Sequence, residues 1–219
     1  MMKNNKKSIT INANRLEKYL GSRTFTFDVK DMEDRVGVVK GMAWTAAGGD
    51  TLPVESVIMN GAGKLTLTGQ LGEVMQESAK IAFGFVRANA RKYGIKEDFY
   101  KDTDIHIHFP EGAIKKDGPS AGVTIITSIV SALTNKEVKS NIAMTGEVTL
   151  TGRVLAIGGL KEKSIAAFRA GIDTIIIPKE NEKDIKKIPD VVKNKLDIIT
   201  VNHVDEVINK AIIGVDTIV

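Results

Sequence analysis

The chain has 219 residues, of which 42% are hydrophobic and 26% charged, enough to bury a substantial core in one large domain or two small ones. Its net charge of +4 is mild and aromatic residues make up 5%, so a nucleic-acid surface is not expected. The absence of cysteine excludes disulfides, thiolate zinc sites and a cysteine nucleophile. Since no apolar run reaches the ~18 residues of a membrane helix and no secretory h-region is visible, we expect a cytoplasmic protein without a membrane partner.

The first half of the chain is predicted to consist mainly of strands. Residues 1–34 form a polar N-terminal segment with one short helix that ends at Gly21. The runs RVGVVKGMAWT, DTLPVESVIMN and GKLTLTG are separated by turn residues, which predicts a three-stranded meander. Apolar residues at helical spacing then predict a helix over residues 71–94, with Gly94 as its C-cap.

In the second half, strands alternate with helices. DIHIHFP predicts a strand, PSAGVTIITSIVSALTN a largely buried helix, and IAMTGEVTLTGRVLAI a strand pair about Gly146. A helix at GGLKEKSIAAFRAG, strands at DTIIIP and LDIITVN, and a last helix at HVDEVINKAII follow. This order favours an α/β (α+β) fold with one domain over residues 35–214 and a C-terminal tail over residues 215–219.

Two glycine-containing stretches fall short of nucleotide-binding motifs. NGAGKLT would need glycine in place of Ile58 and a hydroxyl in place of Leu65 to form a P-loop, so a hairpin turn explains Gly61 and Gly63 better. AIGGLKEK lacks the Gly-x-Gly-x-x-Gly spacing. We therefore expect no cofactor site in this chain.

His106 and His108 lie two residues apart on a predicted strand, so both imidazoles face the same side of it. Such a pair could begin a metal site, but no third ligand is evident in the sequence. The favoured alternative is structural hydrogen bonding or support of a nearby site.

Ser120 stands between a tight turn, KDGPSAG, and the buried helix behind it. The simplest interpretation is a helix N-cap, because serine at a helix start accepts a backbone N–H and Pro119 suits the first turn. A nucleophile is the alternative, because a turn exposes the hydroxyl and the free N–H groups of a first helical turn could stabilise an oxyanion. A nucleophile would need a base.

Lys163 is the candidate base. Its helical neighbours form a column without an acid: Gly159, Leu160, Ala166 and Ala167. Burial in such a column and a position near a helix N-terminus both favour a neutral amine, and Ser–Lys dyads are a recognised variant of serine catalysis. A solvated lysine remains the alternative at this point.

Taken together, the motifs resemble the proteolytic domain of bacterial-type Lon ATP-dependent serine proteases (endopeptidase La). KDGPSAG is similar to that family's nucleophile motif and GGLKEK to its lysine motif. MTGEVTLTGRVLAIGG, HIHFPEG, GMAWT and GGDTLPVE match as well, over about residues 8–214. The residues around the serine follow the AAA+-fused A subfamily, and Lys115 and Ala156 stand where the family usually has proline.

The resemblance implies mixed sheets with packed helices, similar to a ribosomal-protein-type domain, and a serine endopeptidase for unfolded or damaged proteins. Ser120 would be the nucleophile and Lys163 the base. The remaining implied site residues are Thr145 beside the lysine, His106, His108 and Glu55 in support, and Trp44 in the substrate groove. We expect an extended substrate to pair as an added strand near GMAWT or HIH.

Lon proteases carry a substrate-binding region and an ATPase before this domain. The resemblance therefore implies that the chain is an excised proteolytic domain, with residues 1–34 as the tail of the ATPase's helical subdomain. ATP and magnesium are expected to act on the missing module, and the full-length enzyme is expected to be a hexamer. The alternatives are a catalytically silent Lon-like scaffold or ring domain and an amidase-type hydrolase acting on small amides.

Overall fold

The structure is a computed structural model that describes residues 11–21, 33–45, 48–110 and 116–215. The helices in these ranges are α1 (Leu16–Leu20), α2 (Glu73–Ala88), α3 (Gly122–Thr134), α4 (Leu160–Arg169), α5 (Asp190–Lys193) and α6 (Val204–Ala211). The strands are β1 (Arg35–Val36), β2 (Val38–Thr45), β3 (Gly48–Asn60), β4 (Leu65–Thr68), β5 (Thr103–His108), β6 (Glu137–Val138), β7 (Ile142–Met144), β8 (Glu147–Val148), β9 (Val154–Leu155), β10 (Thr174–Pro178) and β11 (Asp197–Val201).

A seven-stranded mixed sheet in the order β11-β10-β7-β2-β3-β5-β4 organises the fold. Its first half in sequence is largely antiparallel, since β2 pairs with β3 and β3 with β5 in that sense. Its second half is parallel, with β10 between β7 and β11 and β7 alongside β2. The predicted α/β class with a mixed sheet and packed helices is confirmed.

Helices cover the sheet on both faces. On one face α3 is the central element, buried from Gly122 to Ser131, and its apolar side chains join those of α2 and α6 in the main core. On the other face α4 packs over the parallel strands in a second cluster that includes Met42, Ala143 and Ile175. Each fully buried isoleucine in these layers contributes roughly 1.5–3 kcal/mol, so packing fixes where the ends of α3 and α4 lie.

The predicted meander is wrong in its third strand. In the described sheet β4 pairs in parallel with β5, which lies between β4 and β3. The carboxylate of Asp104 on β5 accepts the N–H groups of Ala62 and Lys64 at 2.8 and 2.7 Å and so fixes the glycine turn after β3. NGAGKLT is therefore not a hairpin turn. The side chain of Asp104, about forty residues away, binds the turn, and the chain continues into β4 on the far side of β5.

The predicted strand pair about Gly146 is also wrong. β7 belongs to the large sheet, whereas β8 and β9 form a separate antiparallel pair whose turn is closed by Gly152 N–H donating to Thr149 O at 2.9 Å. Gly146 lies where the chain leaves the large sheet, and a Cβ there would come within 2.7 Å of Val154 Cγ1. The close packing places Thr145 at the carboxyl end of β7.

The helices and the late strands follow the sequence prediction closely. α2 ends before residue 94, because the Asn89 side chain donates to the Phe85 carbonyl and a 3-10 turn, Ala90–Tyr93, follows. Gly94, with a φ of +70°, caps that turn. α1 ends at Gly21 as predicted.

Several predictions concern residues beyond the described ranges. They include Lys115, the end of HIHFPEG, most of the tail over residues 215–219 and much of the segment over residues 1–34. The proposed domain boundaries therefore stay predictions. Within the described ranges, no helix combines the length and the apolar character needed to span a membrane.

Candidate active site

Ser120 lies in a short 3-10 turn, Pro119–Ala121, that leads directly into α3. The N-cap interpretation is wrong, because neither this turn nor α3 has a side-chain cap. The preceding Asp117 fixes the loop by accepting the N–H groups of Met75 and Gly118 at 3.1 and 3.0 Å. The serine hydroxyl is therefore free of helix capping and points to another partner.

That partner is Lys163, whose Nζ lies 2.9 Å from Ser120 Oγ. Lys163 is the fourth residue of α4, and three members of its predicted apolar column, Leu160, Ala166 and Ala167, are buried. The residue is 2% exposed, and burial lowers the pKa of its amine to about 8. No carboxylate is paired with this amine in the described part of the chain, so roughly a tenth of it is neutral at pH 7 and about half at pH 8.

Thr145 completes the cluster. Its Oγ1 lies 2.9 Å from Lys163 Nζ and donates its proton to the Ser120 carbonyl at 3.2 Å. Since that proton is committed to the carbonyl, the hydroxyl offers lone pairs to the amine. A neutral lysine therefore donates N–H to Thr145 and turns its own lone pair toward the serine hydroxyl, which is the polarity that a general base needs.

The cluster opens into a cavity of about 330 Å³. Its walls are largely apolar and include Met42, Leu52, Met75, Pro119 and Ile157. Three carboxylate residues, Asp50, Asp117 and Glu147, lie at the same cavity, as does Trp44, which is 57% exposed. The cavity has the apolar walls and few convergent polar groups that are typical of a binding site.

One strand edge borders this cavity. β7 pairs with Lys40 and Gly41 of β2, so the described part of the sheet leaves Met42–Trp44 without a strand partner on that side. Three residues of this stretch line the cavity: Met42, Ala43 and Trp44. The alternative edge near HIH is wrong, because β5 is paired on both sides.

His106, His108 and Glu55 lie away from the dyad. Thr68 Oγ1 is 2.9 Å from His106 Nε2 and 2.7 Å from His108 Nδ1, and Glu55 is the cross-strand neighbour of His108. These residues are not among those that line the cavity. Across the described ranges, no group of three or more potential metal ligands is present. A supporting role for them stays a prediction.

Sequence reasoning missed two contributors to the site, Asp117 and the Gly146 N–H, which donates to the Ser120 carbonyl at 2.9 Å. An aspartate directly before glycine is a turn signal that could have identified Asp117. The contact of Gly146 depends on where β7 ends, which no local pattern encodes.

Comparison with known proteins agrees with this geometry. The family model of the Lon protease (S16) C-terminal proteolytic domain matches residues 10–214. The chain belongs to this family. It is 62% identical over 214 residues to the Lon protease of Clostridium acetobutylicum. The aligned region covers 98% of this chain and 28% of the relative.

Two further relatives match over a similar share of the chain. The Lon protease of Brevibacillus choshinensis is 55% identical over 94% of this chain and 27% of its own length, and Lon protease 1 of Bacillus subtilis is 53% identical over 95% and 27%. The chain thus spans about a quarter of the length of the curated relatives it matches. The resemblance read from the motifs is confirmed.

Proposed function

We propose that this chain is a serine endopeptidase that cleaves peptide bonds with Ser120 as the nucleophile and Lys163 as the general base. The observation that carries the proposal is the contact of 2.9 Å between a serine hydroxyl at a cavity and a lysine amine whose pKa is lowered to about 8 by burial. A nucleophile and a base within hydrogen-bonding reach, with a third group orienting the base, form the basis of covalent catalysis.

The chemistry is acyl transfer. As Ser120 Oγ attacks the peptide carbonyl, its proton passes to the neutral amine of Lys163, and the carbonyl electrons move onto oxygen. Backbone N–H groups of the turn at Ser120 are the proposed donors to that oxyanion, each worth roughly 3 kcal/mol. The lysine then returns the proton to the leaving amine, and water attacks the acyl-enzyme with the amine again acting as base.

The substrate is proposed to be an extended segment of an unfolded or damaged protein. The unpaired edge of β2 at Met42–Trp44 could hydrogen-bond to such a segment as an added strand beside the cavity. The walls formed by Met42, Leu52 and Met75 favour an apolar side chain next to the cleaved bond. A folded substrate offers few such strands, because most of its backbone groups are already paired.

We further propose that the domain works as the proteolytic part of an ATP-dependent Lon protease. Family membership and the length of the relatives support this, since this chain covers about a quarter of each. ATP and magnesium would act on an ATPase module, with no cofactor in this chain. The hexameric assembly and the cytoplasmic location remain predictions of the family resemblance.

The test is labelling with a fluorophosphonate, followed by hydrolysis of casein and of small amides. The proposal predicts covalent labelling of Ser120 and cleavage of casein, both lost in Ser120→Ala. A chain that is folded but unlabelled would be the silent scaffold domain. A chain that is labelled but hydrolyses small amides in preference to casein would be an amidase.

A further inference from the structure

The first turn of α4, which carries Lys163, is packed against the paired ends of β2 and β3. The N-cap of α4 is Gly159, which has no side chain to bond the free N–H groups of the helix. Trp44 and Gly49, which are direct cross-strand partners, contact this turn. We infer that this strand pair positions the Lys163 amine against Ser120, which makes Gly49 and Trp44 positioning residues of the dyad.

Gly49 contacts the helix through its backbone. A Cβ on Gly49 would lie 2.0 Å from the Glu162 carbonyl oxygen and 3.0 Å from the Lys163 nitrogen. Its φ is not positive, so the requirement for glycine comes from the close approach of the helix and not from backbone conformation. Any side chain at this position displaces the peptide bond that joins Glu162 to Lys163.

Trp44 makes the second contact on the other strand. A Cβ on Gly159 would come within 2.8 Å of Trp44 Cγ, so the indole lies directly over the N-cap residue of the helix. Gly159 also has a φ of +69°, a conformation that glycine adopts without strain. The strand pair therefore contacts α4 at both ends of its first turn.

The two halves of the dyad are held by different elements. Ser120 is tied to the end of β7 by bonds from Thr145 and Gly146 to its carbonyl, whereas Lys163 depends on the placement of α4. A general base works within a reach of about 2.6–3.2 Å, and a displacement of 1 Å can cost ~10²-fold in rate. The contact of the strand pair with α4 thus sets the distance on which the proposed dyad depends.

This inference rests on the proposed function and is tested by the rate of fluorophosphonate labelling, which needs the dyad but no bound substrate strand. We expect Gly49→Ala to fold and to be labelled ~100-fold more slowly per folded molecule. Because the displaced amine gains access to water, the apparent pKa of its labelling should move from about 8 toward the ~10.4 of free lysine. Gly84→Ala is the matched control, because its Cβ meets Leu150 Cδ2 at an ordinary 3.6 Å.

A second pair of variants covers the case in which Gly49→Ala fails to fold. Trp44→Ala removes the contact with Gly159 and should slow labelling ~10-fold, while Trp44→Phe, which keeps an aromatic ring there, should restore most of the rate. An unlabelled wild-type chain would refute the proposed dyad itself. The positioning role would be overturned if folded Gly49→Ala kept the wild-type labelling rate and pH profile. It would also be overturned if the labelling rate fell only in proportion to the folded fraction, or if the two Trp44 variants were labelled at equal rates.

Discussion

In the described part of the molecule, two clusters can be compared in which a threonine hydroxyl bonds to two other polar groups. Thr145 joins Ser120 and Lys163 in the buried end of a cavity, and Thr68 joins His106 and His108 on a partly exposed sheet face. Histidine is the commoner base in proteins, yet these histidines are not among the residues that line the cavity. Surroundings, more than the usual chemistry of a residue type, distinguish the cluster proposed to be reactive.

The physical difference is desolvation. Burial disfavours the ammonium form of Lys163, and in the proposed mechanism the hydrogen bond that Thr145 donates to a carbonyl directs the amine lone pair at Ser120. Thr68 has neither the cavity nor a buried base beside it. The following variants test this contrast, from the largest expected effect to the smallest.

Removing the hydroxyl of Ser120 should abolish activity, whereas removing the hydroxyl of Thr68 should leave it nearly unchanged. Ser120→Ala should lower kcat/KM for a fluorogenic peptide by at least ~10³-fold, because no nucleophile remains. Its free energy of unfolding should change by less than ~1 kcal/mol, since Ser120 caps no helix. Thr68→Ala is the matched control and should keep activity within about threefold. Retained activity in Ser120→Ala would refute the assignment.

Replacing the base should inactivate the enzyme and stabilise the fold. The pKa of Lys163 falls from 10.5 to about 8, and each tenfold change in proton affinity is worth about 1.4 kcal/mol. Lys163→Met should therefore raise the free energy of unfolding by ~3 kcal/mol below pH ~8.

The sign follows from linkage. The unfolded chain binds the proton more tightly than the native one, so wild-type stability rises with pH between about 8 and 10.5 and the advantage of Lys163→Met disappears there. Urea unfolding of the wild type and of Lys163→Met at several pH values measures the stability of each and how it changes with pH. A destabilised Lys163→Met at pH 7 would mean that the amine has a structural role instead.

Thr145 tests orientation separately from burial. Thr145→Val keeps the shape but loses the hydroxyl that directs the amine, so kcat should fall by ~10–100-fold with little change in KM. Thr145→Ser retains the hydroxyl and should recover most of the rate. Equal rates in the two variants would remove the orienting role.

The smallest effect is expected at the histidine cluster. His108→Gln keeps a group that can bond to Thr68, so activity should stay within about threefold and stability within ~1 kcal/mol. Activity assays and urea unfolding check both values. A loss of more than tenfold in a folded variant would show that the supporting role implied by the family resemblance holds.

The sequence predicted what local patterns can carry. The alternation of strands and helices after Thr103, the buried helix behind Ser120 and the acid-free column at Lys163 follow from spacing along the chain. The turn position of Ser120 and the acid-free column at Lys163 made these residues catalytic candidates, and the motif resemblance then favoured that role over the alternatives. The 2.9 Å contact between them agrees with it.

The remainder depends on contacts between distant residues. Asp104 directs β4 to the far side of β5, and the close packing at Gly146 takes the chain out of the sheet after Thr145. Gly49 appears in the sequence as an ordinary turn residue, and its requirement comes from a helix more than a hundred positions later. Periodicity reports which face of an element is buried but not which partner covers it.

The most direct test of a desolvated lysine base is the pH dependence of kcat/KM for a fluorogenic peptide between pH 5 and 10.5, with the stability of the enzyme checked at each pH. Because the lysine must be neutral to accept the proton of Ser120, the rate should rise tenfold per pH unit and level off above an apparent pKa of about 8. A rate that keeps climbing past pH ~10, where free lysine titrates, would contradict the account.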